Sequence, residues 1–250
     1  MVLGFLAAGI GVGATVALAA GAILGKALTP AAGAVAAGFG IAIVVLAGFP
    51  FLILLVLFVG ASSLATRYRF EEKKRRSVQE GVAGERGISN VLAHIVLPTG
   101  LAAVVALRPG SYAVIAVLYA SALAFGAADT FASEFGVLAG HARSIFTLKP
   151  VPPGTNGGVS AIGEGFALAA AIVTAVVGLS LFLVFRTPFG NPAAYVAIVA
   201  AAGFLGCQVD SAIGEGLENR GYLGKGGTNF VAMAASIGIA LGLVALVGGL

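Results

Sequence analysis

Residues 111–134 read SYAVIAVLYASALAFGAADTFASE: an uncharged stretch, Ser111–Ala128, closed by Asp129 and Glu134. A run of this length without charge is long enough for a membrane-spanning helix. Carboxylates set beside such a span are costly and usually functional. The Gly- and Pro-rich run Val151-Pro-Pro-Gly-Thr-Asn-Gly-Gly158 follows and leads straight into the next apolar stretch. A similar arrangement recurs at Asp210-Ser-Ala-Ile-Gly-Glu215, followed by Gly227-Thr-Asn229. The two segments are expected to face each other at the cytoplasmic surface and form one polar site.

The rest of the composition agrees with a membrane protein. Only 10% of the 250 residues are charged and 59% are hydrophobic, against roughly 25% charged in a soluble domain. The mean hydropathy is +1.06. A soluble fold of this size could not hide so much apolar surface. The 38 glycines suit helices that approach closely on small residues. The apolar runs are too long for the alternating strands of a barrel. The single cysteine, Cys207, excludes a disulfide framework and reads as a packing residue. The first apolar segment lacks a basic lead and a small-residue cleavage site, so it reads as a retained span.

Outward from the opening stretch, candidate spans are Leu3–Leu24, Ala31–Gly48, Phe51–Thr66, Ile88–Leu107, Ser111–Ala128, Val159–Phe185, Ala193–Val209 and Phe230–Leu250. The second and third are parted only by Phe49-Pro50. Joined, they would run about 36 residues, roughly 54 Å, which exceeds a core of about 30 Å. A tight turn is therefore expected, giving an all-α polytopic bundle of about eight spans in one domain, residues 1–250. Its two main polar loops are a basic one, 67–87, and a Gly/Pro-rich one, 135–158.

With eight spans, Lys26, the seven Lys and Arg between Arg67 and Arg86, Arg143, Lys149, Arg220 and Lys225 share one side. Only Arg108 and Arg186 lie opposite. The populated side is then cytoplasmic, with both termini outside. All ten carboxylates fall on or just inside that side, so any chemistry is expected there. The lack of a transit segment suggests a prokaryotic cell membrane. The basic loop reads either as a topology and anionic-lipid signal or as a contact for substrate phosphate. Asn90 and His94 share one helical face, where a histidine more often packs than reacts. His141 reads as ordinary loop chemistry.

In a helix Asp129 and Ser133 share a face, with Glu134 beside them; Asp210 and Gly214 repeat that spacing, followed by Glu215. Ala-Ile-Gly-Glu-Gly itself occurs twice, at 161–165 and 212–216. Both units read as helix inward, acidic end, Gly-Thr-Asn loop, helix outward, an internal repeat of the two C-terminal helix pairs with a site between halves. Carboxylates without matching positive charge suit a hard cation such as Mg²⁺, which commonly bridges protein and phosphate oxygens. Glycines admit phosphate to backbone N–H groups, and the following helix adds its positive end. Lys149 and Lys225 each precede a Gly-Thr-Asn loop. No G-x-x-x-x-G-K-[ST] occurs. These residues leave open a phosphate–metal site, capped helix ends with glycine turns, or an ion or proton path.

Asp129-Thr-Phe-Ala-Ser-Glu134, Lys149-Pro-Val-Pro-Pro-Gly-Thr-Asn-Gly-Gly-Val-Ser160 and Gly206-x-x-x-Asp210-Ser211 resemble the membrane family typified by phytyl-phosphate kinase, long known as domain-of-unknown-function family 92. Ser63-Leu-Ala-Thr-Arg67, the basic loop after it and Asn229-Phe230 extend the resemblance over nearly the whole chain. The usual Trp after Asp-Thr is Phe131 here. The resemblance implies phosphorylation of an isoprenyl monophosphate to the diphosphate, with CTP the favoured donor.

The resulting expectation is a polytopic kinase. Asp129, Glu134, Asp210 and Glu215 would hold Mg²⁺, with the first three also catalytic. Ser133, Lys149, Gly154, Thr155, Asn156, Gly157, Gly158, Ser211, Lys225 and Asn229 would hold nucleotide and substrate phosphates, with Lys73, Arg75 and Arg76 closing over them. Phosphoryl transfer needs positioning and charge neutralisation more than a covalent nucleophile. The expected partners are the bilayer, an isoprenyl phosphate and a nucleotide, with no nucleic acid; homo-oligomer formation is left open. The rivals are a cytidylyltransferase forming a CDP-lipid, an ion or lipid transporter, and an inactive scaffold. A transporter would place its acids at mid-membrane, whereas here they cluster at one end of the spans.

Overall fold

Gly48 decides the helix count. Its φ of +94° is closed to most L-residues, and with Pro50 behind it the chain cannot continue one helix. In the computed structural model, which describes residues 2–248, α1 (Val2–Leu24), α2 (Pro30–Ala47) and α3 (Phe49–Arg67) are separate helices. Arg67, at the end of α3, donates to the carbonyl of Gly25, just before α2 begins. The chain has therefore gone out and come back: the turn expected at Phe49-Pro50 is a one-residue hairpin at Gly48, and Phe49 and Pro50 open α3.

The basic loop then forms a short helix, α4 (Phe70–Arg75), before α5 (Ile88–Leu107). A 3₁₀ turn at Pro109–Ser111 leads into α6 (Tyr112–Gly136). Beyond three short strands come α7 (Ala161–Val184), α8 (Pro192–Ile213), a π-helical turn at Gly214–Glu218, and α9 (Lys225–Leu246). Seven helices among the described residues are long and apolar enough to cross a membrane, and Gly9–Leu24 of α1 adds a shorter apolar segment. The last two residues of the predicted final span, 249 and 250, lie outside the described residues.

α6 is the axis of the bundle. Every residue from Ile115 to Ala128 is buried, so this helix is apolar all round because it has protein on every side. α3, α5, α7, α8 and α9 pack on it, and α2 lies outside against α1 and α5. Small residues permit the approach: a methyl group at Gly203 of α8 would lie 2.6 Å from the Ala124 side chain. Ser236 of α9 donates to the carbonyls of Ala202 (2.9 Å) and Ser121 (3.2 Å), tying three helices together. At the other end of α6, Phe51 meets Tyr112, Tyr119 and Phe182 edge to face.

Two local expectations are corrected. The segment expected as a Gly/Pro-rich loop, 135–158, contains strands: β1 (Ala142–Ser144) pairs antiparallel with β2 (Pro150–Val151) and β3 (Gly158–Val159) in a small sheet of order β2-β1-β3. Strands this short carry no periodic signal, which is why an all-α reading passed over them. The second Gly-Thr-Asn is not a loop either. Lys225 opens α9, so Gly227, Thr228 and Asn229 form its first turns, and Thr228 and Asn229 are buried.

Candidate functional site

The two acidic helix ends do meet. A polar cavity of about 310 Å³ opens at the basic end of the bundle. α6 lines it with Asp129, Ser133 and Glu134, α8 with Asp210 and Ser211, and α9 with Lys225 and Asn229. Gly154, Thr155, Asn156, Gly157 and Gly158 form one wall, and Glu80 of the basic loop, Glu164 of α7 and Glu218 of the π turn complete it.

Asp129 of α6 and Asp210 of α8 are close neighbours in its lining. In its favourable amide orientation, Asn229 donates to Asp210 Oδ1 (3.3 Å) and to the Lys225 carbonyl (3.0 Å). Ser133 donates to the Thr130 carbonyl. The Gly-rich wall is fixed by its neighbours. Gly157 has φ +76°, and a Cβ there would collide with the Glu215 side chain and the Ser211 carbonyl. Gly154, at φ +87°, likewise tolerates no ordinary side chain. Thr155 turns its hydroxyl onto the Pro152 carbonyl, 2.8 Å away.

Several expected phosphate and metal groups are committed elsewhere. Lys73 is fully buried and bonds Glu134 Oε2 at 2.7 Å, so neither is free: the lysine does not close over the cavity, and the carboxylate already has its cation. Arg76 bonds Glu72 and the Val137 carbonyl. Arg75 and Lys149 are exposed and outside the cavity lining. Glu215 accepts from Ser144 Oγ (2.6 Å), bracing β1, while its Oε2 is buried without a partner. The four expected metal carboxylates thus do not form one cluster; no group of three or more potential ligands converges among the described residues. Asp129, Glu134 and Asp210 line the cavity, with Glu134 taken up by Lys73, and Glu215 does not line it.

The Asp129–Asp210 pair still fits a magnesium ion. Mg²⁺ is usually held by one or two carboxylates together with substrate phosphates and water, not by an all-protein cage. Two carboxylates in contact repel when both are ionised, and a cation shared between them removes the repulsion. Glu80, Glu134, Glu164 and Glu218 also line the cavity, against one lining cation, Lys225.

Sequence reasoning missed Glu80, Glu164, Glu218 and Arg86. Glu80 bonds Lys225 at 2.6 Å. Burial works against its charge, but Lys225, with help from Arg86, outweighs burial and holds the Glu80 carboxyl below its ordinary value. Burial lowers the Arg86 guanidinium from its ordinary value, and the carboxylates of Glu80, Glu134 and Asp129 oppose that. Its Nη2 reaches Thr130 (3.3 Å) and Thr66 (3.4 Å), and Nη1 reaches Asn90 (3.2 Å). Glu164 accepts from Gln208 at 2.7 Å. The repeated Ala-Ile-Gly-Glu-Gly was the available signal for Glu164, since it gives Glu164 the place that Glu215 holds in the second copy. Nothing local marked Glu80 or Arg86 among the loop's other charges.

The fold and its polar cavity define an integral membrane protein with a hydrophilic chamber at one end of a helical bundle. The chain belongs to the integral membrane protein family DUF92, whose model matches residues 13–239. It is 32% identical over 186 residues to an uncharacterized membrane protein of Methanocaldococcus jannaschii, covering 74% of this chain and 72% of that one. It is 31% identical over 194 residues to an uncharacterized membrane protein of Synechocystis (75% and 72%). To Protein PGR of Arabidopsis thaliana it is 31% identical over 197 residues (70% and 67%). No solved structure gives a significant match.

Proposed function

We propose that this protein is a membrane-embedded lipid kinase that moves the terminal phosphoryl group of a nucleoside triphosphate, CTP favoured, onto an isoprenyl monophosphate. The observation that carries this reading is the Asp129–Asp210 pair beneath the Gly154–Gly158 wall. Close backbone and excess acid together suit a metal–triphosphate better than a permeating ion. The resemblance to phytyl-phosphate kinases supplies the substrate class. The basic end, with its twelve Lys and Arg, faces the cytoplasm and both termini lie outside.

In the reaction a terminal oxygen of the lipid phosphate forms a bond to the γ-phosphorus. The bond from that phosphorus to the β,γ-bridging oxygen breaks. The products are the lipid diphosphate and the nucleoside diphosphate, and no side chain becomes phosphorylated. Mg²⁺, held by Asp129 and Asp210, would neutralise phosphate charge. Lys225 brings a point charge to the rim, and the left-handed turn at Gly157 lets the wall pack directly against Glu215 and the Ser211 carbonyl. Asn229 orients the Asp210 carboxylate.

The test is transfer from γ-labelled CTP or ATP to geranylgeranyl or phytyl monophosphate by purified protein with Mg²⁺. Label in a lipid diphosphate is expected. Label arriving only from α-labelled CTP would replace the kinase by a CDP-lipid synthase, and no transfer from any nucleotide by folded protein would end the enzymatic reading.

A further inference from the structure

A second cavity, about 500 Å³ and mostly apolar, lies between α1, α2, α3 and α5. It exists because the α2–α3 hairpin splays: α2 packs on α1 and α5 while α3 packs on α6. Leu52, Leu55 and Phe58 line its depth. Its polar end is different in kind. Ser62 Oγ, Arg86 Nε and His94 Nε2 are buried polar atoms without a partner, and all three residues line this cavity. Ser62 is 1% and His94 4% exposed. Leaving a buried polar atom unpaired costs about 1–3 kcal/mol, and three such atoms behind the wall of one cavity set its polar end apart from the apolar depth. Arg86 lines this apolar cavity, and its Nη2 bonds Thr130, whose neighbour Asp129 lines the polar one.

We infer that this cavity holds the hydrocarbon chain of a single-chain isoprenyl monophosphate, with its phosphate at Arg86, beside the acid-rich chamber. The inference rests on the kinase reading for the identity of the ligand. At roughly 30 Å³ per water-sized group, the cavity of about 500 Å³ has room for a segment on the order of 15 carbons of a single chain. The guanidinium has N–H groups unused by the protein, and phosphate is the partner its fork recognises. Phosphate held there is next door to Asp129, where a nucleotide's terminal phosphoryl group would arrive.

The test is photolabelling of the full chain in nanodiscs by a geranylgeranyl monophosphate carrying a diazirine on its tail, with labelled residues mapped by mass spectrometry. Label is expected on α1, α2, α3 and α5 around Leu55 and Val59, competed by unlabelled geranylgeranyl monophosphate but not by phosphatidic acid. Gly60→Leu and Gly21→Leu fill the chamber from opposite walls, where an added Cβ meets open space; both should cut labelling severalfold. Arg86→Gln should weaken the phosphate probe by about tenfold or more while sparing the corresponding prenol probe. Label on other helices, indifference to both filling variants, or equal competition by phosphatidic acid would overturn the inference. Correct labelling of a protein that transfers no phosphate would support this site and sink the kinase instead; active kinase labelled elsewhere would do the reverse.

Discussion

Lys73 Nζ lies 2.7 Å from Glu134 Oε2 and within 2.9 and 3.2 Å of the Ala65 and Thr66 carbonyls, with no exposure to solvent. This one side chain fastens the basic loop to α3 and α6. Removing one partner of a buried pair strands the other charge and typically costs about 3–5 kcal/mol, whereas replacing both with apolar groups is often near neutral. Lys73→Met should therefore lower the thermal unfolding midpoint sharply in detergent, and adding Glu134→Leu should recover most of it. A double variant as unstable as the single one would show that the clamp works by packing and not by charge.

Gly157 is the position where the wall of the polar cavity tolerates least. Its φ of +76° alone costs an L-residue about 1–3 kcal/mol, and a Cβ would also strike Glu215 and the Ser211 carbonyl. Gly157→Ala should abolish nucleotide-dependent labelling of the lipid and open the 154–158 turn to protease, with the helices intact by circular dichroism. Gly165→Ala, where a Cβ meets nothing within 4 Å, should change neither.

The contrast between those residues explains what the sequence could announce. Helix number, the Gly48 turn and the convergence of Asp129 with Asp210 follow from run lengths, proline chemistry and repeated spacing, all local. Lys73 carried no such mark: among consecutive cations in Glu71-Glu-Lys-Lys-Arg-Arg76, only tertiary packing selects the one that turns inward. Glu134 and Glu215 looked equivalent because each lies five residues after an aspartate, yet Lys73 reaches one and Ser144 the other. Arg86 was hidden for the same reason; its role comes from Thr66, Asn90 and Thr130, brought from three helices.

Asp129 and Asp210 should be far more sensitive than the other cavity acids. Asp129→Asn and Asp210→Asn each keep shape and volume while removing charge. Each should lower Mg²⁺-dependent transfer on the order of 10²-fold or more, the scale set by losing one preorganised electrostatic group. Glu164→Gln, whose carboxylate is already occupied by Gln208, should cost much less. Titrating Mg²⁺ separates the roles, because loss of a metal ligand raises the metal concentration needed for half-maximal rate. Unchanged metal dependence in both aspartate variants would remove them as ligands of the proposed magnesium ion.

Glu80 and Lys225 predict how the rim responds to acid. The Glu80 carboxyl is held below its ordinary value of 4.5 by Lys225 and Arg86, which outweigh the effect of burial. A carboxylate whose folded value is depressed adds stability above its unfolded value, and loses it as pH falls through the folded one. Wild type should therefore unfold at a higher temperature than Glu80→Gln at about pH 7, and the gap should close progressively below pH 4.5. Lys225→Met should shrink the same gap at neutral pH, since it removes the nearest partner. A gap that stays constant from neutral to acidic pH would mean that the Glu80–Lys225 contact contributes no charge-dependent stability, and that Lys225 is free to swing wholly toward an incoming phosphate.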